Sequence, residues 1–180
     1  MTYDCIIGID PGANGGIAVW TQNHVSVVRM PRDMSELRRL VQYYQDNYNV
    51  IVFIEKINIR HDDLMTDGGR ANMGKIFRIQ QMVRNHEALK ATIAVCDIPY
   101  CEVHPLTWQS RLHLRGFKDE AKSDRKRRYK VEAQKYFPSV NVTMWNCDAL
   151  HIMRFGRYVL EWEIKWLNKN ILNLPKNKLL

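Results

Sequence analysis

Acidic residues follow two strongly apolar segments of the chain, and carboxylates in such positions indicate chemistry. Asp10 ends the segment YDCIIGID, and Glu55 follows the apolar run VIVFI in VIVFIEK. A buried carboxylate is costly unless another group compensates its charge, and two neighbouring carboxylates also raise each other's pKa. A divalent cation relieves both costs, and Mg²⁺ prefers carboxylate, water and phosphate oxygens. The pair therefore predicts a divalent-metal site; for either acid alone, a helix N-cap or a loop salt bridge is the ordinary alternative.

A third acid, Asp148, lies near the start of a predicted helix, in NCDALHIMRFG. It could join the metal site, or it could stabilise the helix dipole from the first turn. His151 comes three residues later and therefore lies on the same face of the helix. It is a candidate fourth ligand, a candidate base for a water molecule, or a surface imidazole. The glycine-rich GANGG (12–16) could cradle a phosphate or form the turn of a hairpin.

Hydrophobic patterning predicts the elements that position these side chains. Strands at 3–10, 17–20 and 24–30 follow one another directly, which is typical of an antiparallel meander. A helix near 34–48, with Ser35 as a possible cap, leads to a strand at 50–56 that we expect to be parallel to its neighbour. Further elements are listed in order: a polar loop at 59–71, a helix at 72–95, a strand at 99–104, and helices at about 105–113, 117–137 and 146–163.

Composition and length restrict the class of protein. The chain has 180 residues, 46% of them hydrophobic, which fits one globular α/β domain with a mixed sheet, and we expect an extra helical tail from about 159. The formal net charge of +8 predicts a polyanionic partner, either nucleic acid or an acidic membrane surface. No segment is apolar enough to span a membrane. The four cysteines have no CxxC spacing and no secretory signal is recognisable, so we expect reduced thiols and a cytoplasmic location.

Five segments, in order, resemble RuvC-type Holliday-junction resolvases, in particular the phage-like branch. They are IIGIDPGANGGIAVW, IVFIEK, GKIFRIQQMVRNHEALKATIAVCDIPYCEVHPLTWQ, RRYKVEAQKYFP and NCDALHIMRFGR. The resemblance implies an RNase H-like fold with a five-stranded mixed sheet, its first three strands antiparallel, flanked by helices. It also implies a homodimer that cuts four-way (Holliday) junctions by hydrolysis, using two Mg²⁺ or Mn²⁺ ions held by Asp10, Glu55 and Asp148.

One departure from the family pattern concerns the fourth ligand. The family usually places an acid or a histidine three or four residues before its last aspartate, where this chain has Met144 and Trp145. Either His151 takes that role, or three protein ligands suffice, or activity is weakened. Two alternatives follow: a catalytically inactive junction-binding protein, and an RNase H-like nuclease acting on RNA or RNA–DNA hybrid. A sugar-kinase or actin-like ATPase is a further but disfavoured alternative, because the chain is short for two lobes.

A basic segment is the predicted DNA contact, since phosphate binding gives affinity without sequence readout. Its alternative interpretation is a solvated helix face. The candidate DNA-binding residues are Lys118, Lys122, Arg125, Lys126, Arg127, Arg128 and Lys130, with Arg70 and Lys75 as secondary candidates. The helix at 72–95 is apolar on more than one face, which predicts either a dimer contact or burial within a monomer. Two active sites related by a two-fold axis would suit symmetric cleavage of a junction.

Overall fold

The computed structural model describes residues 3–22, 24–59, 61–65 and 70–172, with the backbone alone at 61 and 62. The predicted elements are present within two to five residues of their expected bounds. In chain order they are β1 (Cys5–Asp10), β2 (Gly16–Thr21), β3 (His24–Arg29), α1 (Met34–Asn47), β4 (Val50–Glu55), α2 (Met73–Val95), β5 (Tyr100–Val103), α3 (Pro105–Arg111), α4 (Lys122–Tyr136), α5 (Cys147–Trp162), α6 (Ile164–Asn170) and β6 (Ile171–Leu172).

The sheet is mixed, with strand order β3-β2-β1-β4-β5-β6. Strands β1, β2 and β3 form the predicted antiparallel meander, whereas β4 runs parallel to β1 and β5 parallel to β4. The expected count of five strands is wrong, because the two residues of β6 pair antiparallel with β5. The predicted tail thus starts as α6 and adds an edge strand; residues after 172 lie outside the described part of the chain.

Two hydrophobic cores lie on opposite faces of this sheet. Alternation along the strands sends Ile6 and Phe53 into one core, with α3 to α6, and sends Ile7 and Ile54 into the other, with α1 and α2. We call these the α5 face and the α1 face. The same alternation continues to the ends of β1 and β4, so the residues that end these strands belong to the α5 face.

Helix α5 packs directly on strand β1, and two glycines make this possible. A Cβ at Gly8 would overlap the backbone of Met153 and Ala149, and a Cβ at Gly156 would lie 2.6 Å from the Phe53 ring. The helix is therefore held by backbone contact as well as by side-chain packing. Gly156 costs some helix propensity, and this close approach is the reason it is tolerated.

Four smaller expectations concern a helix cap, a polar loop, the cysteines and membrane-spanning helices. Asp33, not Ser35, is the N-cap of α1, because its Oδ1 accepts the amide hydrogen of Ser35 at 2.9 Å. The polar loop after β4 contains a short 3₁₀ helix, His61–Leu64; positions 60 and 66–69 of that loop lie outside the described residues. All four cysteines are free and buried. Over the described ranges, no helix has the length and apolarity needed to cross a bilayer.

Candidate active site

Asp10 and Glu55 lie next to each other at one edge of the sheet. The parallel register pairs Ile9 with Ile54, so the residues that follow them end neighbouring strands at the same level. Both belong to the α5 face by strand alternation. Two carboxylates that are far apart in sequence therefore meet, as the apolar runs predict.

Asp148 reaches the same place from the first turn of α5. Its side chain is 17% exposed, and the close packing of α5 on Gly8 brings this turn over the end of β1. Glu55 and Asp148 both line a cleft of about 880 Å³, and the charge of Asp148 acts on both Asp10 and Glu55. The structure thus brings all three predicted acids together.

Burial and mutual repulsion raise the pKa of two of these acids. For Asp10, burial raises the pKa and the charge of Asp148 raises it further; the amide of Gly12, which donates to Oδ1 at 3.1 Å, and Lys126 oppose the change. For Glu55, burial is again the main cause, followed by Asp10 and Asp148, and the pKa rises to about 8. Such shifts are typical of functional carboxylates that await a cation.

A lysine supplies positive charge inside the acidic cluster. Lys126 of α4 donates from Nζ to Oδ2 of Asp148, and its charge also acts on Asp10 and Glu55. Burial disfavours its charged form, but the acids more than offset this, so the pKa of Lys126 is raised. The basic segment predicted Lys126 as a DNA contact; its place among the acids is visible only in three dimensions.

Trp108 of α3 contacts the acidic cluster and is not among the site residues that the sequence predicts. It is 1% exposed, and its indole Nε1 donates to Oε1 of Glu55 at 2.9 Å. This bond fixes one oxygen of the carboxylate and leaves the other to the cleft. A buried tryptophan needs a partner for its N–H, so the tryptophan in the helix directly after β5 is a signal that could have been used.

His151 lies outside the cleft, so the roles expected for it are not carried forward. Its side chain is fully buried, Nε2 lies 2.9 Å from the carbonyl oxygen of Tyr129, and the ring is stacked on Trp108. Burial lowers its pKa to about 4. The helical spacing correctly predicts that His151 lies on the same side of α5 as Asp148. Because α5 is buried on nearly all sides, His151 does not reach solvent.

The two residues at the family's fourth-ligand positions have other contacts. The Trp145 ring lies against Gly16, and Arg29 lies 5.0 Å from its centroid, so this side chain covers the end of the β2–β3 hairpin. Met144 is 41% exposed and lines the cleft. Among the described residues, no three His, Cys, Asp or Glu side chains are close enough as they stand to hold one metal ion.

The predicted cations differ in their surroundings. Three of them, Lys122, Arg125 and Lys126, line the acidic cleft. Arg128 instead bonds Glu120 at 3.0 Å, and Arg127 pairs with Asp124 at 3.1 Å. The remaining candidates, Lys118, Lys130 and Arg70, are exposed, and Lys75 donates to the carbonyl of Met65 at 2.9 Å.

A second groove continues from the cleft towards α2. Asn58, Asp63 and Lys122 line both spaces, and the groove also includes Lys75 and Arg78. The glycine-rich segment 12–16 forms the turn between β1 and β2, and its contact with the site is the Gly12 amide on Asp10. Of its two interpretations, the structure shows the turn.

No protein-family model matches this sequence, and no curated protein matches it. Solved structures do. The chain aligns with RuvC of T. thermophilus in complex with a Holliday junction substrate at 13% identity and a TM-score of 0.55, over 88% of this chain and 96% of that one. A second Thermus thermophilus RuvC structure aligns at 15% identity and a TM-score of 0.51, over 87% and 95%. The similarity to these structures shows that the chain has the fold of RuvC, a mixed sheet flanked by helices.

Proposed function

We propose that this protein is a divalent-metal-dependent endonuclease that cuts four-way or otherwise branched DNA. The observation that carries the proposal is the proximity of Asp10, Glu55 and Asp148, whose charges act on one another. Glu55 and Asp148 line a cleft together with Lys122, Arg125 and Lys126. Carboxylate oxygens are ligands that divalent ions prefer, and the surrounding lysine and arginine side chains can bind the phosphates of a nucleic-acid backbone. The fold supports the choice of substrate, because the RuvC structure at 96% coverage holds a Holliday junction.

The acids fit Mg²⁺ or Mn²⁺ by their chemistry. The site offers carboxylate oxygens with raised pKa values, and a cation in their midst would relieve the repulsion that raises them. Asp10 on β1, Glu55 on the neighbouring strand β4 and Asp148 on α5 would together hold the ions. Bound ions of this kind supply an activated water and stabilise charge on the leaving oxygen.

The chain's own side chains would then position the substrate. Trp108 holds one oxygen of Glu55, which orients the carboxylate before any ligand enters. Lys126, once released from Asp148, would reach a phosphate oxygen of the bound strand. The overall reaction is hydrolysis: a water oxygen attacks phosphorus, the bond to the 3′ oxygen breaks, and the products carry a 5′-phosphate and a 3′-hydroxyl.

Symmetric cutting of a junction requires two such sites, and we propose a homodimer formed through α2. Met73 and Phe77 lie one turn apart on this helix and are 72% and 61% exposed. The buried residues of α2 are His86, Leu89 and Ile93, all in its C-terminal half. The exposed apolar side chains Met73 and Phe77 in the N-terminal half are therefore available to a second copy of the chain. Such a dimer would relate its two clefts by a two-fold axis.

A cleavage assay with matched substrates tests this function. A four-way junction, a linear duplex of the same sequence and an RNA–DNA hybrid are each incubated with the protein in Mg²⁺, in Mn²⁺ and in EDTA. The proposal predicts cleavage of the junction alone, with metal only. Preferred cleavage of the hybrid would favour an RNase H-like activity instead.

A junction-binding protein without nuclease activity is the second candidate, and specific observations favour it. Met144 and Trp145 stand at the fourth-ligand positions, and the described side chains form no ready three-ligand cluster. Tight binding of the junction in EDTA, with no cleavage in either metal, would support this candidate over the nuclease.

A further inference from the structure

A second cationic cavity lies away from the acidic cleft. It has a volume of about 390 Å³ and is formed where α5 meets the ends of α3 and α4. Its lining residues include Arg111, Arg154, Arg157, Tyr136 and Tyr158. We call it the arginine pocket. None of these residues takes part in the acidic cluster or in the basic segment predicted from the sequence.

The charge in the arginine pocket is only partly compensated. Arg111 bonds Glu163 at 3.1 Å, and Arg157 lies 3.6 Å from Glu161. In the described part of the chain, no carboxylate lies within ion-pair distance of Arg154. Glu132 is the carboxylate whose charge acts on Arg154, but its own ion-pair partner is Lys135, at 2.6 Å.

The side chain of Arg154 is held in place without an acid. Its guanidinium carbon lies 3.2 Å from the centroid of the Tyr136 ring, which orients the plane of the group. Arg157 is similarly placed, 4.6 Å from the Trp20 ring centroid. Planar, pre-oriented guanidinium groups are the donors best suited to bind phosphate oxygens in pairs.

The position of the arginine pocket relates it to the acidic cleft. The cleft is lined by residues at the start of α3 and in the first half of α4, and the arginine pocket is lined by Arg111 and Tyr136, the last residues of the same two helices. Successive phosphates of one DNA strand advance about 3.4 Å along the duplex. Lys126 and Tyr136 are ten residues apart on α4, a rise of roughly 15 Å, so a duplex arm that runs from the cleft along α4 would bring a phosphate near Arg154 about four nucleotides from the cut.

We propose that the arginine pocket binds a backbone phosphate of a DNA arm, a few nucleotides from the phosphate that is cut. The inference rests on the proposed function for its choice of DNA as the source of the phosphate. The pocket would anchor the arm, and it would contribute affinity without sequence preference.

The test compares Arg154→Gln with the wild type and with Arg38→Gln as a matched control. Arg38 is exposed on α1, on the opposite face of the sheet. Junction binding is measured in EDTA over a series of salt concentrations. We expect Arg154→Gln to weaken binding about three- to tenfold and to lower the salt slope by about one. Arg38→Gln should change neither, and Arg154→Lys should retain the slope, because it keeps the charge.

Neutral methylphosphonate linkages then locate the phosphate. Placed singly two to five nucleotides from the cut, one of them should weaken binding by the wild type but have no further effect on Arg154→Gln, since both changes remove the same contact. Additive losses at every position would overturn the assignment to the DNA arm. Circular dichroism spectra confirm that each variant is folded.

Titration with inorganic pyrophosphate, in the absence of DNA, separates this proposal from the function it rests on. Pyrophosphate binding that depends on Arg154, in a wild type that binds no DNA structure, would refute the proposed function and retain the pocket as a small-anion site. Equal binding of both pyrophosphate and junction by Arg154→Gln and the wild type would overturn the pocket itself.

Discussion

Lys126 donates a hydrogen bond to Asp148 in the cleft that both residues line together with Glu55. The pair joins α4 to α5, and it is partly shielded from solvent, with the two side chains 28% and 17% exposed. An ammonium group here does what a metal ion would do: it reduces the repulsion between Asp10, Glu55 and Asp148. The lysine and a divalent ion should therefore substitute for each other electrostatically.

The equivalence of the Lys126 ammonium group and a divalent ion predicts how the variant Lys126→Met behaves. In EDTA the variant should lose about 1–2 kcal/mol of stability, since Asp148 keeps its charge without a partner. Saturating Mn²⁺ should recover much of this loss, because the ion replaces the ammonium. Thermal unfolding with and without Mn²⁺ measures both values. Lys130→Met, an exposed change on the same helix, serves as the control; an equal loss for Lys126→Met in both buffers would refute the idea.

Trp108→Phe should impair cleavage more than binding. The change removes the N–H that holds Oε1 of Glu55, and positioning groups around metal ligands typically contribute ten- to a hundredfold. We expect a loss of about tenfold or more in kcat on a junction, with junction binding in EDTA nearly unchanged. Trp166→Phe is the matched control, since that ring packs on Phe155 and not on an acid. Equal kcat values for the two variants would contradict the positioning role.

The metal-free protein should become less stable as pH rises towards 8. The pKa of Glu55 is about 8 in the folded protein and 4.5 in its ordinary, solvent-exposed state, so between these values the folded state binds a proton that the unfolded state has lost. The contribution of Glu55 to the free energy of unfolding is therefore fully present below about pH 4.5 and is lost above about pH 8. Glu55→Gln should abolish this slope.

The measurement is denaturant unfolding in EDTA from pH 5 to pH 8.5. It compares how the free energy of unfolding depends on pH in the wild type and in Glu55→Gln. His151 contributes a slope of the opposite sign below about pH 6.5, because its folded pKa is lowered to about 4. The comparison with Glu55→Gln cancels that contribution. Parallel pH profiles of the two proteins would show that Glu55 titrates normally.

His151→Gln should reduce stability while sparing catalysis. The ring is fully buried, stacked on Trp108, and bonded through Nε2 to the Tyr129 carbonyl. We expect a loss of about 1–3 kcal/mol, and a cleavage rate per folded molecule within about threefold of wild type. The rate is measured at a temperature where both proteins are folded. A loss of a hundredfold or more would return His151 to the mechanism.

The sequence predicted the sheet and two of its acids because local rules decide them. The runs before Asp10 and Glu55 are apolar, a strand reached through a helix tends to be parallel, and alternation fixes the face. The sixth strand was missed because Ile171–Leu172 is too short to have a period of its own. Its pairing with β5 is a tertiary contact.

Side-chain partners were harder to predict than strands. His151 follows Asp148 by three residues, and the pattern alone does not reveal that α5 is enclosed by the sheet, α3 and α4. Likewise, Trp108 and Lys126 lie far from the acids in sequence, and only the packing of α3 and α4 brings them to Glu55 and Asp148. The basic segment of the sequence contains many candidate DNA-binding cations, and only the folded structure shows that three of them line the cleft.

The central claim is that Asp10, Glu55 and Asp148 bind divalent ions jointly. Mn²⁺ binding to the DNA-free protein, followed by electron paramagnetic resonance, tests it in Asp10→Asn, Glu55→Gln and Asp148→Asn, with exposed Asp124→Asn as the control. The account predicts that each of the three weakens Mn²⁺ binding at least tenfold, and that Asp124→Asn leaves it unchanged. Wild-type affinity for Mn²⁺ in all three variants would contradict it.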